Sequence, residues 1–135
     1  MESLVTFFEM DEFAHYLGIE LLEISEGRAK ARLEIKQHHL NSHKTVHGGV
    51  LFALADAVFA VASNSYGTAA VAIHADISYF KAATEGVLTA EALELSRSAK
   101  LASYSINISD DKGIIIAAFQ GMVYRKEKRI DGKQE

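Results

Sequence analysis

The sequence predicts an α+β fold: a curved, largely antiparallel sheet wrapped around one long helix. Three observations lead there. The apolar run from Val50 to Ala62 is broken only by Asp56 and is long enough for about four helical turns. Stretches of period-two alternation lie on both sides of it, two before and four after. No strand–helix–strand alternation is present, so the strands pair antiparallel and the helices lie on one face.

The chain has 135 residues, with no repeat, low-complexity segment or linker, which fits one domain over residues 1–135. Cysteine is absent. That removes a disulfide framework, a thiol nucleophile and a cysteine metal site, and it fits a reducing, cytoplasmic compartment. The opening MESLVTFFEMDEF is acidic and lacks an apolar core, unlike a secretory signal. A net charge of −4 argues against general nucleic-acid binding. An anionic ligand then needs a local basic patch.

In order, residues 1–17 read as one packing helix: Leu4, Phe7, Phe8, Phe13, Tyr16 and Leu17 recur near helical spacing, and Gly18 is a plausible stop. Two strands follow, 20–26 and 28–35, joined by a turn at Glu26-Gly27. Residues 36–46 form a polar loop with His38, His39 and His43; with His47 these invite a metal reading. Their spacing matches no helix-borne ligand pair, and such loop histidines are usually solvated, so no metal is expected. The central helix runs to about Ser65, with Gly67 as its C-cap. Four strands complete the chain: 69–80, 87–96, 101–110 and 114–124, the last pair joined by a turn at 110–113. In the first of them His74, Asp76 and Ser78 share one face, a site wall or a solvent-facing side. Residues 125–135 read as a charged, frayed tail.

The central helix carries the chemistry. A helix apolar all round is a buried helix, too short and too charged here to span a membrane. A carboxylate at its middle therefore needs a partner or a task. Gly48-Gly49 opens the helix, where first-turn N–H groups lack intrahelical partners and point outward. Glycine there gives either a tight turn or open access to an oxyanion site. Gly48 and Asp56 are eight residues apart, about 12 Å along the axis at 1.5 Å per residue. One carbonyl can hardly meet both within one chain. If they serve one reaction, they do so across an antiparallel dimer.

The run Asn41, His47-Gly48-Gly49, Leu54-Ala55-Asp56 resembles the signature of hotdog-fold acyl-CoA thioesterases of the phenylacetic-acid-degradation and 4-hydroxybenzoyl-CoA type. Residues 76–82 (DISYFKA) and 96–100 (SRSAK) are similar to that family too, and the resemblance covers roughly residues 19–124. Lys44 departs from it, standing where the family often has Gly. The resemblance implies a hotdog fold, a homodimer that often pairs into a homotetramer, and no metal or bound cofactor; coenzyme A belongs to the substrate. It implies thioester hydrolysis with Asp56 as general base or nucleophile. The Gly48 N–H then polarises the carbonyl, and Asn41 and His47 position that end. Gly49, Phe80 and Lys81 fall to substrate binding, and Arg97, Ser98 and Lys100 to coenzyme A. Arg125, Lys126, Lys128 and Arg129 are further candidates for its phosphates. Phe52, Phe59, Tyr79 and Phe80 could line an aryl or an aliphatic acyl pocket. A hotdog dehydratase or hydratase is the alternative enzyme; a non-catalytic acyl-CoA-binding protein is the alternative of another class.

Overall fold

A computed structural model describes residues 2–130. Two short helices, α1 (Glu2–Glu9) and α2 (Glu12–Leu17), replace the single helix expected over 1–17. The break has a local cause. The Asp11 side chain accepts from the Ala14 N–H at 3.0 Å, which caps a new helix and ends the first. Gly18 does stop α2, in the left-handed conformation at φ 85°.

The sheet is built from β1 (Glu20–Ser25), β2 (Arg28–Glu34), β3 (Thr68–Tyr79), β4 (Val87–Arg97), β5 (Leu101–Ser109) and β6 (Ile115–Arg129). Its order is β1-β2-β4-β5-β6-β3, antiparallel throughout. The expected frayed tail is corrected here: residues 125–129 continue β6, pairing Arg125 with Ala70 and Arg129 with Thr68. Backbone pairing to β3 holds this charged segment in the sheet. Residues 131–135 of that tail lie outside the described residues.

The long helix α3 (Gly48–Ser63) lies against the sheet. Ala29, Ala31, Ala90, Ala92 and Ala102 are buried, and such small side chains let a sheet come close to a helix. Leu54, Ala55, Val58 and Ala62 of α3 fill the space between them. The helix ends on Asn64, not Gly67. The Asn64 side chain donates to the Ala60 carbonyl and accepts from the Ala70 N–H, tying the helix end to β3. Gly67, at φ 85°, serves the turn that follows.

Phe59 belongs to this core and not to a pocket. It is 1% exposed, with ring centroids 5.9 Å from Tyr104 and 5.5 Å from Phe119. Gly121 of β6 lies directly beneath it: a Cβ there would sit 2.5 Å from the Phe59 ring. Gly121→Ala is therefore expected to destabilise the protein by about 1–3 kcal/mol through overpacking, read as a lower denaturant midpoint. An unchanged midpoint would mean that the core yields there.

Two features of the fold bear on function. First, α3 is not covered on every side. Gly49 and Asp56 are exposed, and Phe52, Ala53 and Ala60 only half-buried, so one face of the helix is open. Second, β3 is an edge strand with Val71, Ile73 and Tyr79 exposed, followed by exposed Phe80. His74 and Asp76 lie on it as an exposed pair, 3.3 Å apart. Of the two readings of that polar face, the solvent-facing one holds on this chain.

Candidate active site

Asp56 sits on the open face of α3, which corrects the expectation of a carboxylate buried within the helix packing. It lines a cavity of about 300 Å³ between α2 and α3, with Asp11, Phe13, Ala14, Gly49, Phe52, Ala53 and Ala57. No described residue donates a hydrogen bond to its carboxylate or pairs with it. The side chain reaches solvent, yet protein crowds the carboxyl. Loss of hydration raises its pKa above the ordinary carboxylate value, and the nearby Asp11 carboxylate raises it further. A carboxylate so placed is a stronger base than a solvated one.

The start of α3 presents one open donor. The Gly49 N–H is taken by His47 Nδ1 at 2.8 Å, and the Val50 and Leu51 N–H groups turn back to the His47 carbonyl at 2.9 and 3.3 Å. Among the described residues, nothing accepts from the Gly48 N–H. His47 therefore acts here as the helix cap that leaves Gly48 open. Tyr79 at the end of β3 holds the same turn from the other side, its hydroxyl donating to the Gly48 carbonyl at 3.0 Å. A Cβ on Gly48 would lie 3.1 Å from the Tyr79 ring, so close packing is what asks for glycine at that position.

Asn41 builds the loop that leads into this helix start. Its Oδ1 accepts from the N–H groups of His43 and Thr45 at 2.9 and 3.2 Å. The loop turns at Lys44, whose φ of 62° is the one positive value outside glycine among the described residues. The departure at Lys44 thus has a physical meaning: the position needs the left-handed conformation that glycine adopts most easily. Lys44→Gly is expected to raise stability by up to about 1 kcal/mol, with little change in turnover. A clear drop in melting temperature would contradict the strain assigned to Lys44.

His39 corrects the reading of the loop histidines as solvated. It is 1% exposed, with Nε2 against the Leu17 carbonyl at 2.8 Å and Nδ1 accepting from the Lys36 N–H at 2.9 Å. It ties the loop to the end of α2. Burial lowers its pKa, against the opposing pull of the Leu17 carbonyl. Among the described residues no group of three or more His, Asp or Glu is arranged to hold a metal ion.

The basic residues assigned to coenzyme A gather near the other end of α3. Arg97 is held by two partners. Its Nε donates to Glu94 at 3.0 Å, and its guanidinium stacks 4.0 Å from the Tyr66 ring, whose hydroxyl donates to Glu94. Arg125 donates to the Ser98 carbonyl at 2.9 Å. The Ser98 hydroxyl closes the β4–β5 turn against Leu101. Lys81, just past β3, pairs with Asp110 at 3.7 Å, away from this cluster. Phe80 beside it is 62% exposed.

Within one chain, then, Asn41, His47, Gly48 and Tyr79 come together at the start of α3. Asp56 lies about 12 Å along the helix from Gly48, and Arg97, Ser98 and Arg125 lie beyond its far end. Sequence reasoning missed Asp11 and Phe13 as cavity residues. Asp11-Glu12 before an apolar residue was a readable helix-start signal, but its closeness to Asp56 arises only when α2 folds back over α3.

Comparison with known proteins identifies the family and the fold. Residues 43–117 match the model of the Thioesterase superfamily. The acyl-coenzyme A thioesterase PaaI of Escherichia coli is 35% identical over 127 residues, 93% of this chain and 91% of that protein. The solved structure of E. coli PaaI superposes with a TM-score of 0.89 at 33% identity, covering 93% of this chain and 91% of that one. A variant of the phenylacetic acid degradation protein PaaI of Thermus thermophilus superposes with a TM-score of 0.82 at 37% identity, covering 86% of this chain and 100% of that one. A six-stranded antiparallel sheet around α3, a family match over more than half the sequence and these relatives lead to one assignment. The chain belongs to the Thioesterase superfamily and is a hotdog-fold thioesterase.

Proposed function

We propose that this protein hydrolyses an acyl-CoA thioester to the free acid and coenzyme A, with Asp56 of one chain and the Gly48 N–H of another forming each site. The observation that carries the reading is the pair of unsatisfied groups on α3: a carboxylate with no partner and a helix-start N–H with no acceptor among the described residues. The thioester carbonyl accepts from the Gly48 N–H, which favours the negative charge that develops on oxygen. Asp56 either takes a proton from the attacking water or attacks the carbonyl itself. Hydrolysis by either route needs no metal or bound cofactor. Asn41 and His47 support the Gly48 end, and Tyr79 joins them.

The separation of Gly48 and Asp56 along one axis calls for a second chain. The open helix face and the exposed apolar edge of β3 are where it would sit, since an uncovered apolar edge strand is a template for pairing. An antiparallel homodimer made there sets Gly48 of one helix opposite Asp56 of the other, and two such dimers would stack as a homotetramer. Coenzyme A would lie toward Arg97, Ser98, Lys100 and Arg125, with Gly49, Phe80 and Lys81 nearer the acyl end. The similarity to E. coli PaaI, whose name specifies acyl-coenzyme A, supports the substrate class. Phe52 and Phe13 favour an aryl or medium-chain acyl group, and phenylacetic acid degradation is a fitting setting.

Release of free thiol from a panel of aryl- and medium-chain acyl-CoAs tests the proposal. Turnover of at least one of them, abolished by Asp56→Ala, is the expected result. Tight acyl-CoA binding without thiol release would favour a binding protein instead, and reversible hydration of an enoyl-CoA would favour a hydratase.

A further inference from the structure

We propose that Asp11 makes the cavity over Asp56 select uncharged acyl groups and reject acyl groups that end in a carboxylate. The inference deepens the thioesterase reading and rests on it. Asp11 and Asp56 face one cavity from two helices, and its remaining walls are Phe13, Ala14, Gly49, Phe52, Ala53 and Ala57. Those walls suit the apolar body of an acyl chain or ring. No basic side chain lines the cavity, and no ion pair involves either carboxylate among the described residues. No described residue of the chain compensates the negative field inside.

Asp11 cannot easily swing away. Its Oδ1 holds the Ala14 N–H at 3.0 Å as the cap of α2, so the carboxylate is fixed by the helix that roofs the cavity. An acyl group carrying a terminal carboxylate would bring a third negative charge into a small, mostly apolar space. It would lose hydration and meet like charge together. An uncharged acyl group of the same length meets neither penalty. Among the described residues, Asp11 is the one titratable group besides Asp56 that lines this cavity, and its charge raises the Asp56 pKa.

Asn caps a helix as well as Asp does, so Asp11→Asn removes the charge and keeps the fold. The assay compares kcat/KM for pentanoyl-CoA and glutaryl-CoA, which differ by a methyl group against a carboxylate at equal chain length. Phenylacetyl-CoA and its 4-carboxy analogue form a second, aromatic pair. Wild-type protein should prefer the uncharged member of each pair that it turns over. Asp11→Asn should reduce that preference by about tenfold, mainly by raising kcat/KM for the acid. Its acid limb for the uncharged substrate should also move to lower pH, because Asp56 loses a neighbour that holds its proton on. A role confined to capping would change neither quantity. Asp11→Ser, also a good cap, should behave like Asp11→Asn.

An unchanged preference and an unchanged acid limb in a folded Asp11→Asn protein would overturn the inference while leaving the hydrolase reading intact. Equal turnover of both members by the wild type would also overturn it. Failure to cleave any of the four thioesters would overturn the acyl-CoA hydrolase reading and the inference together, and full activity in Asp56→Asn would overturn the role of Asp56 and with it the inference.

Discussion

Replacing Asp56 by Asn is expected to lower kcat on the best acyl-CoA by at least ~100-fold, the usual scale for loss of an acid–base group. The expectation starts from the helix. Asp56 is the single charge in an otherwise apolar run, it has no partner among the described residues, and it lines a cavity on the open face of α3. Asn keeps the shape and removes the base.

Stability separates this role from a structural one, and the sign can be worked out. The folded-state pKa of Asp56 is raised, first by lost hydration and then by Asp11. The folded protein therefore holds the Asp56 proton more tightly than the unfolded chain does. Its ionisation lowers stability as pH rises from the ordinary carboxylate pKa through the raised one, and that loss persists at neutral pH. Asp56→Asn should thus melt slightly higher than the wild type at pH 7, with the gain fading well below the ordinary carboxylate pKa. A variant that is less stable at pH 7 and retains wild-type kcat would assign Asp56 to the scaffold.

The parts of the fold that the sequence made legible are those written in local periodicity. The alternation of Ala29, Ala31 and Leu33, or of Tyr104, Ile106 and Ile108, marks buried positions on β2 and β5, and each is fully or nearly fully buried. The apolar run locates α3 to within a few residues. Long-range contacts were not legible. The stacking of Arg97 on Tyr66 joins residues thirty-one positions apart, one at the end of β4 and the other between α3 and β3. His39 reads as solvated because its acceptor, the Leu17 carbonyl, belongs to another helix. Residues 125–129 carry no apolar pattern, and only backbone pairing with β3 makes them a strand.

At the site, the types and spacing of Asn41, His47, Gly48 and Asp56 were readable, and the reason for each was partly so. That His47 occupies the Gly49 N–H and thereby leaves Gly48 as the open donor is a matter of side-chain direction, which spacing does not encode. The sheet leaves one face of α3 open, although that face is as apolar in sequence as the covered ones apart from Gly49 and Asp56. Hydrophobicity shows that a face avoids water, but not whether its own sheet or another chain covers it.

Complementation between inactive chains tests the shared site most directly. Asp56→Ala removes the base. Asn41→Ala damages the other half, because Asn41 Oδ1 organises the loop that runs into Gly48 of its own chain. Each variant alone should be nearly inactive. When equal amounts are refolded together, about half of the dimers are mixed, and each mixed dimer has one undamaged site of two. The mixture should then recover roughly a quarter of wild-type activity if the sites act independently. No recovery, with mixed dimers shown to have formed, would contradict a site built from Gly48 of one chain and Asp56 of the other.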